Sequence, residues 1–341
     1  MGLFSCSREG AEWSIKEIHL TGEKISTPDQ FSAFRLLWAS DSLCLCDVVS
    51  TEHSFSVVDC VQNVEYPFVN IGRGPLEVIY AEAVVRGEYI YVLSSNQLTN
   101  KALLKIPISS FEDQQSWVYL PIGGLEKMAP AGSFDIVDSN NIIATTDCWD
   151  AANVLSQINL KEGTYSPLNF WPDDEVSESN IVKRQMYSSN STIFHRGSKV
   201  LYAAGEGHYV VILDLSGSEI KESIILNEKP KYKVLSDGIN WGRLPGCKMG
   251  VKATATDSLI YLSPSVHMLE DHAYVPDNYK GYPPYFIDHI HVYDWEGNYK
   301  HTYITDVPIS SYYVSEEDNV MYALTQDMES GYSLIYRYIL K

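Results

Sequence analysis

Apolar and polar residues alternate in short runs along almost the whole chain. The run Tyr89-Ile90-Tyr91-Val92-Leu93 is typical, and a period near two places its apolar side chains on one face of a strand. A polar tip precedes each such run, and the tip-plus-strand unit recurs six times. The copies are Ser40-Asp41-Ser42 with Leu43-Cys44-Leu45; Arg86-Gly87-Glu88 with Tyr89-Ile90-Tyr91; Ser139-Asn140-Asn141 with Ile142-Ile143-Ala144; Gly197-Ser198-Lys199 with Val200-Leu201-Tyr202; Thr256-Asp257-Ser258 with Leu259-Ile260-Tyr261; and Glu317-Asp318-Asn319 with Val320-Met321-Tyr322. Four of the six close on tyrosine, which anchors the alignment. Successive copies lie roughly 50 to 60 residues apart, room for one unit of four short strands.

A second mark recurs between the tips. Val211-Ile212-Leu213-Asp214-Leu215-Ser216-Gly217 aligns without a gap on His291-Val292-Tyr293-Asp294-Trp295-Glu296-Gly297, and Asn159-Leu160-Lys161-Glu162-Gly163 is a looser copy. Each reads as a hairpin with its glycine in the left-handed region. No segment longer than a turn or two combines helical periodicity with good caps. The pattern therefore predicts an all-β fold, six four-stranded sheets set radially as a six-bladed β-propeller, in one domain over residues 13–341 behind a tail of residues 1–12. Seven blades would also suit the unit length, but only six tips are present. Beyond Tyr322 the chain supplies a third strand for the last blade, Tyr332 to Ile339, and no fourth. The alternating stretch from Trp13 to Leu20 is expected to close the ring against it.

The first blade is separated from the second by Ile71-Gly72-Arg73-Gly74-Pro75-Leu76-Glu77. The glycines are expected to supply backbone angles closed to other residues. Pro75 fixes a dihedral and removes a donor, so the chain neither extends the strand nor starts a helix there. Arg73, held on this step, is a candidate to face the central channel and meet an anion.

Composition narrows the function classes. The formal net charge is −19 and is spread through the chain, which argues against a phosphate-backbone partner such as nucleic acid. The six cysteines lack zinc-site spacing and read mainly as small buried apolar residues. No apolar run reaches the ~18 residues that a membrane-spanning helix needs. Leu3-Phe4-Ser5-Cys6-Ser7 matches the end of a bacterial lipoprotein signal, which makes Cys6 the candidate lipidation site and a lipid anchor the expected link to a membrane.

The Gly72-x-Gly74-Pro75-x-Glu77 step, the repeat length and the lipoprotein-like start together resemble the TolB-like six-bladed propellers of Bacteroidetes. Many of these are envelope lipoproteins without an assigned function, and Leu76 stands where members commonly carry another glycine. The resemblance implies a periplasmic or surface location and brings no catalytic residues with it.

In a propeller the blade-to-blade connectors and the loops between second and third strands emerge on one face, opposite the tips. The long insertions, 169–186, 227–249 and 263–288, fall on that face together with the Gly72 step. Long loops on a rigid scaffold are where binding residues are commonly carried. Trp149, Trp241, Arg243, His267, Tyr279 and Tyr282 are the candidate ligand contacts there, with Arg73, because aromatics beside charged groups stack on a sugar ring or peptide and hydrogen-bond its edge. The competing reading is that these aromatics pack their own loops onto the blades.

His289-x-His291 puts two imidazoles on one strand face, which a half-exposed strand explains, and Asp173-Asp174-Glu175 reads as a solvated acidic turn; no metal or cofactor is expected. No Gly-x-Ser-x-Gly elbow occurs. The expected function is that of a non-catalytic, monomeric binding propeller of the bacterial envelope, taking a glycan, peptide or protein on its long-loop face. The alternative is a propeller enzyme, a metal-dependent lactonase or hydrolase or a lyase, with its site in the channel.

Overall fold

The computed structural model describes residues 16–74, 76–79, 81–94, 102–122, 128–129, 133–145, 147–148, 153–174, 179–265, 282–283 and 285–341. Six antiparallel sheets follow one another in chain order, each with its first strand innermost. Blade 1 is Arg35–Ala39, Leu43–Asp47, His53–Asp59 and Val64–Asn70. Blade 2 is Ala81–Arg86, Tyr89–Ser94, Ala102–Pro107 and Val118–Pro121. Blade 3 is Phe134–Ile136, Asn141–Thr145, Leu155–Asn159 and Thr164–Pro167. Blade 4 is Thr192–Arg196, Lys199–Ala203, His208–Asp214 and Lys221–Glu228. Blade 5 is Val251–Ala255, Leu259–Pro264, Ile287–Asp294 and Tyr299–Ile309. Blade 6 takes Ser311–Val314, Val320–Gln326 and Ser333–Ile339 from the C-terminal end of the chain.

The inner strands touch in sequence around the ring, and the inner strand of blade 6 returns against that of blade 1. The fold is a six-bladed β-propeller, and all six tips are hairpins between first and second strands.

Ring closure differs from the sequence expectation in one respect. The fourth strand of blade 6 is Glu23–Ile25, antiparallel to Ser333–Ile339 with Lys24 opposite Tyr336. The segment expected in that place, Trp13 to Leu20, contributes Glu17–Leu20 instead as a fifth, parallel strand on blade 5, with Ile18 opposite Tyr303. Trp13 itself lies outside the described residues. The chain passes from one blade to the next at Gly22, where a Cβ would come within 2.7 Å of the Tyr338 ring. The Gly22 amide donates to the Asp306 carboxylate at 3.1 Å, and the Tyr338 hydroxyl donates to the same group at 3.0 Å. Alternation alone marks a stretch as a strand, whereas the blade it joins is set by this turn.

The recurring tyrosine of the second strand proves to be a tie between blades in the last two repeats. Tyr322 of blade 6 donates to Asp41 on the tip of blade 1 at 2.9 Å, and Tyr261 of blade 5 donates to Asp318 on the tip of blade 6 at 2.8 Å. Closer to the axis, the fully buried Asp135 carboxylate of blade 3 accepts from Arg86 Nε of blade 2 at 2.8 Å and from the His195 amide of blade 4 at 2.6 Å. One side chain thereby joins three blades.

At the outer hairpins, Asp214 accepts from the Ser216 amide and Asp294 from the amides of Glu296 and Asn298. Asp59 accepts from Val61 and Gln62 in the same way, a copy that residue identity alone does not reveal. Gly163 and Gly297 take the expected positive φ, 62° and 83°; Gly217 does not.

The Gly72 step also has a different cause from the one expected. Neither Gly72 nor Gly74 has a left-handed φ; a Cβ on Gly72 would fall 2.0 Å from the Glu77 carboxylate, which folds back to accept the Gly74 amide at 2.7 Å. The glycines give room to a carboxylate, while Pro75 lies outside the described residues.

Cys44, Cys46, Cys60 and Cys247 are buried free thiols, as small apolar residues would be; Cys6 lies outside the described residues.

Removing residues 1–25 exposes the edges of blades 5 and 6 together, and an open ring loses cooperativity. Thermal and urea melts should show a lower, broader transition for that truncation. Removing residues 1–15 should leave the transition nearly in place. Equal melts for both truncations would refute this role for the two strands.

Candidate functional site

The long-loop face carries a raised platform over blades 3 and 4. Its first part is the helix Asn180–Ser188, the one α-helix among the described residues, capped by the Ser179 side chain, which accepts from the Val182 amide. The apolar residues Val182, Met186 and Tyr187 are buried in the cluster that includes Phe170 and Tyr209. The sequence does not announce this helix because, at nine residues, it shows one short apolar stripe, and packing instead of propensity holds such a helix.

The second part is a hairpin of Tyr232–Val234 and Trp241–Arg243, turned at Gly238 with φ 72° and closed by Asp237, which accepts from the amides of Ile239 and Asn240. Ser179 Oγ donates to the Gly238 carbonyl at 3.0 Å and joins helix to hairpin.

A buried ion pair joins the two parts to the connector that leaves blade 3. Lys183 Nζ lies 3.1 Å from the Asp174 carboxylate with both side chains almost wholly buried, and the Tyr232 hydroxyl donates to the same carboxylate at 3.1 Å. The ammonium also sits 4.8 Å from the centre of the Trp171 ring. A buried pair of this kind adds little net stability, but losing one partner strands the other charge. On the far side of the hairpin, Arg243 makes a two-pronged ion pair with the buried Glu206, which holds its guanidinium above its ordinary pKa, mainly through that hydrogen bond. Neighbouring backbone is pressed close: a Cβ on Gly250 would fall 2.3 Å from the Gly205 backbone.

The candidate residues are distributed as follows. Trp241 is half-buried against the cluster under the platform, with the Arg243 guanidinium 5.3 Å from its ring centre. Arg73 is exposed on the Gly72 step. Tyr282 packs on Phe286 with ring centres 5.1 Å apart. Trp149, His267 and Tyr279 lie outside the described residues. Residue identity did not single out Glu206 or Lys183, because single charged residues in loops carry no spacing signal.

Exposed apolar loop residues are more numerous on the long-loop face, although Val64, Val118 and Ile339 are exposed at the tip-side ends of their strands. Among the described loop residues, Phe34, Val49, Leu235, Ile239, Leu244, Met328 and Tyr332 are exposed on the long-loop face, and Val61 on the tip face. Ile239 on the hairpin turn is 52% exposed and Phe34 at the entry to blade 1 is 63% exposed.

At the same end of the channel, Arg35 Nη2 bonds Glu82 at 2.7 Å and Asp47 at 3.1 Å. Burial raises the pKa of both carboxyls, and the arginine pulls them back only in part. Lys252 of blade 5 donates to the Ser310 carbonyl. Burial, with the Arg35 charge beside it, pushes its ammonium down to about 8. At the mouth of the channel, charges thus tie blade 1 to blade 2 through Arg35 and Glu82, and blade 5 to the entry of blade 6 through Lys252 and the Ser310 carbonyl.

No protein-family model matches the chain, and no curated protein matches it. Solved structures do. A structural-genomics protein of unknown function from Bacteroides thetaiotaomicron VPI-5482 superposes with a TM-score of 0.54 at 8% identity, covering 94% of this chain and 72% of that one. The structure of YjhT covers 92% of this chain and 95% of its own at 11% identity and a TM-score of 0.48, and the hydrazine synthase of Kuenenia stuttgartiensis covers 95% and 84% at 12% identity and 0.45. At these identities the likeness concerns the fold.

The Lys252 pair gives a signed pH dependence. Its folded pKa of about 8 lies below the ordinary lysine value of 10.5, so the unfolded chain binds more protons between these limits and stability rises with pH across them. The full shift corresponds to roughly 3 kcal/mol. Lys252→Met removes that dependence, so the stability of the parent relative to the variant should climb between these two pH limits in urea melts. A difference that stays flat would show that the amine is not buried as described.

Proposed function

We propose that this protein is a non-catalytic binding propeller of the bacterial envelope that engages a glycan, peptide or protein through its long-loop face. The observation that carries the reading is the larger number of apolar loop residues exposed on that face, Leu235 and Ile239 together on one hairpin among them, because apolar surface gathered in one region marks an interaction site. The platform adds to it. Helix and hairpin are fixed to the blades by Asp174, Lys183, Ser179 and Glu206, so Leu235 and Ile239 are presented at little ordering cost on binding. At the channel mouth Arg35, Asp47 and Glu82 pair among themselves and Lys252 bonds the Ser310 carbonyl, which favours the outer face over the channel as the binding surface.

Membership of the TolB-like propellers rests on the Gly72-x-Gly74-Pro75-x-Glu77 step within a six-bladed ring. Attachment to the envelope rests on the pattern around Cys6. Expressed from its own locus, the protein should partition with membranes and carry a diacylglyceryl mass on the Cys6 peptide; an unmodified peptide from a soluble protein would overturn the anchor.

The binding face is tested with a defined glycan array and a peptide library. The double variant Leu235→Asp, Ile239→Asp should keep the parent melting temperature, since exposed residues contribute little to stability. It should weaken the strongest hit by about tenfold or more, as loss of a central apolar anchor does. Val61→Asp on the tip face should change nothing. A hit that responds to Val61 and ignores the hairpin would place the site on the other face.

A further inference from the structure

Blades 4 and 5 pack through Val210, Ile212, Ile260 and Leu262. Toward the long-loop face a cleft of about 390 Å³ opens between the two blades, lined by His208, Lys248, Pro264, Ser265, His289 and His291. His208 begins the third strand of blade 4. His289 and His291 stand two apart on the third strand of blade 5 and so share a face, and Lys248 enters from the connector. Three imidazoles and one ammonium thus meet in one place, with the carboxylates of Glu228 and Asp288 beside them.

Their other contacts orient them. His291 Nδ1 bonds Thr302 Oγ1 at 2.8 Å, and His289 Nδ1 bonds the Asp288 carboxylate. His208 Nδ1 faces Glu228 at 3.9 Å, and Lys248 Nζ pairs with the same carboxylate at 2.8 Å. With the rings of His289 and His291 held through Nδ1, Nε2 is the nitrogen left for a ligand, the arrangement by which ring orientation is fixed from behind.

His208 Nε2 is buried without a hydrogen-bond partner of good geometry, and burial, together with the Lys248 charge, holds the ring's pKa below its ordinary value against a smaller opposing pull from Glu228 and the Ser265 backbone. A buried polar atom without a partner is costly, and a ligand atom that bonds it recovers that cost.

The rings reach in from two blades, and among the described residues no three such groups are spaced to hold a single ion. That spacing suits a ligand with several acceptor atoms better than a metal. The volume falls in the range of small-molecule sites and exceeds what inorganic phosphate fills.

We propose that the cleft between blades 4 and 5 binds a small organic anion, its carboxylate or phosphate group bonded by Lys248 and by the ring nitrogens of His208, His289 and His291. The cleft is distinct from the platform, and the proposal stands whether or not the long-loop face binds a macromolecule.

The full chain, labelled with carbon-13 at histidine, is titrated with succinate and with glycerol phosphate while the ring Cε1–H signals are followed. Saturable shifts of His208, His289 and His291 with one of the two are expected, at a Kd of about 1 mM or below. Which probe saturates tells carboxylate from phosphate. Lys248→Met and His208→Gln should each weaken binding about tenfold with melting temperatures close to the parent's, and His53→Gln on blade 1 should leave it unchanged. The Leu235→Asp, Ile239→Asp variant should bind the anion like the parent, which separates this result from the reading of the face. The proposal fails if neither anion gives a saturable shift, if Lys248→Met and His208→Gln bind as the parent does, or if only zinc ions move the three signals.

Discussion

Everything in this molecule hangs on closing a ring of twisted sheets without leaving an edge unpaired. A sheet edge presents a row of free backbone donors and acceptors, and a circular array removes the free ends only if its last blade is complete. Here the end of the chain stops one strand short. The beginning supplies Glu23–Ile25 to blade 6 and, two residues earlier, Glu17–Leu20 to blade 5. Gly22 sits at the change of blade because Tyr338 leaves no space for a Cβ, and Asp306 receives both the glycine amide and the tyrosine hydroxyl. The first ten described residues therefore bind the last two blades to each other.

Inside that closure a belt of polar ties keeps the blades in angular register. Arg35 reaches Glu82, Arg86 reaches Asp135, and Asp135 holds the His195 amide. These groups are costly to bury, and each is useful only because its partner stands on a different blade. Apolar packing between blades is forgiving of small rotations, whereas an arginine paired in two directions is not. The belt converts a stack of similar sheets into one rigid frame.

A frame of that kind frees one face for elaboration. The tips are short hairpins, and those of blades 1 and 6 accept a tyrosine hydroxyl from the preceding blade. On the opposite face the connectors carry a helix and a hairpin, joined by Ser179 and anchored through Asp174, Lys183 and Glu206. The exposed apolar residues of the hairpin owe their position to ion pairs beneath them. The cleft between blades 4 and 5 arises in a related way, where the apolar interface gives out before the loops begin and histidines take over its lining.

The sequence by itself determined the all-β class, the six repeats, the position of every tip and the need for an N-terminal strand, because period-two alternation and turn residues act over a few neighbours. It also placed the long insertions on one face, since topology follows from strand order. Three kinds of feature belonged to the tertiary structure alone. The partner of Glu17–Leu20 depended on a glycine meeting a tyrosine more than three hundred residues away. The reason for Gly72 was a carboxylate folding back, not a backbone angle. The meeting of His208 with His289 and His291, like that of Asp174 with Lys183 and Tyr232, joins residues from separate segments whose spacing along the chain carries no signal. Local rules write the strands, and only the closed ring decides which side chains face one another across its blades.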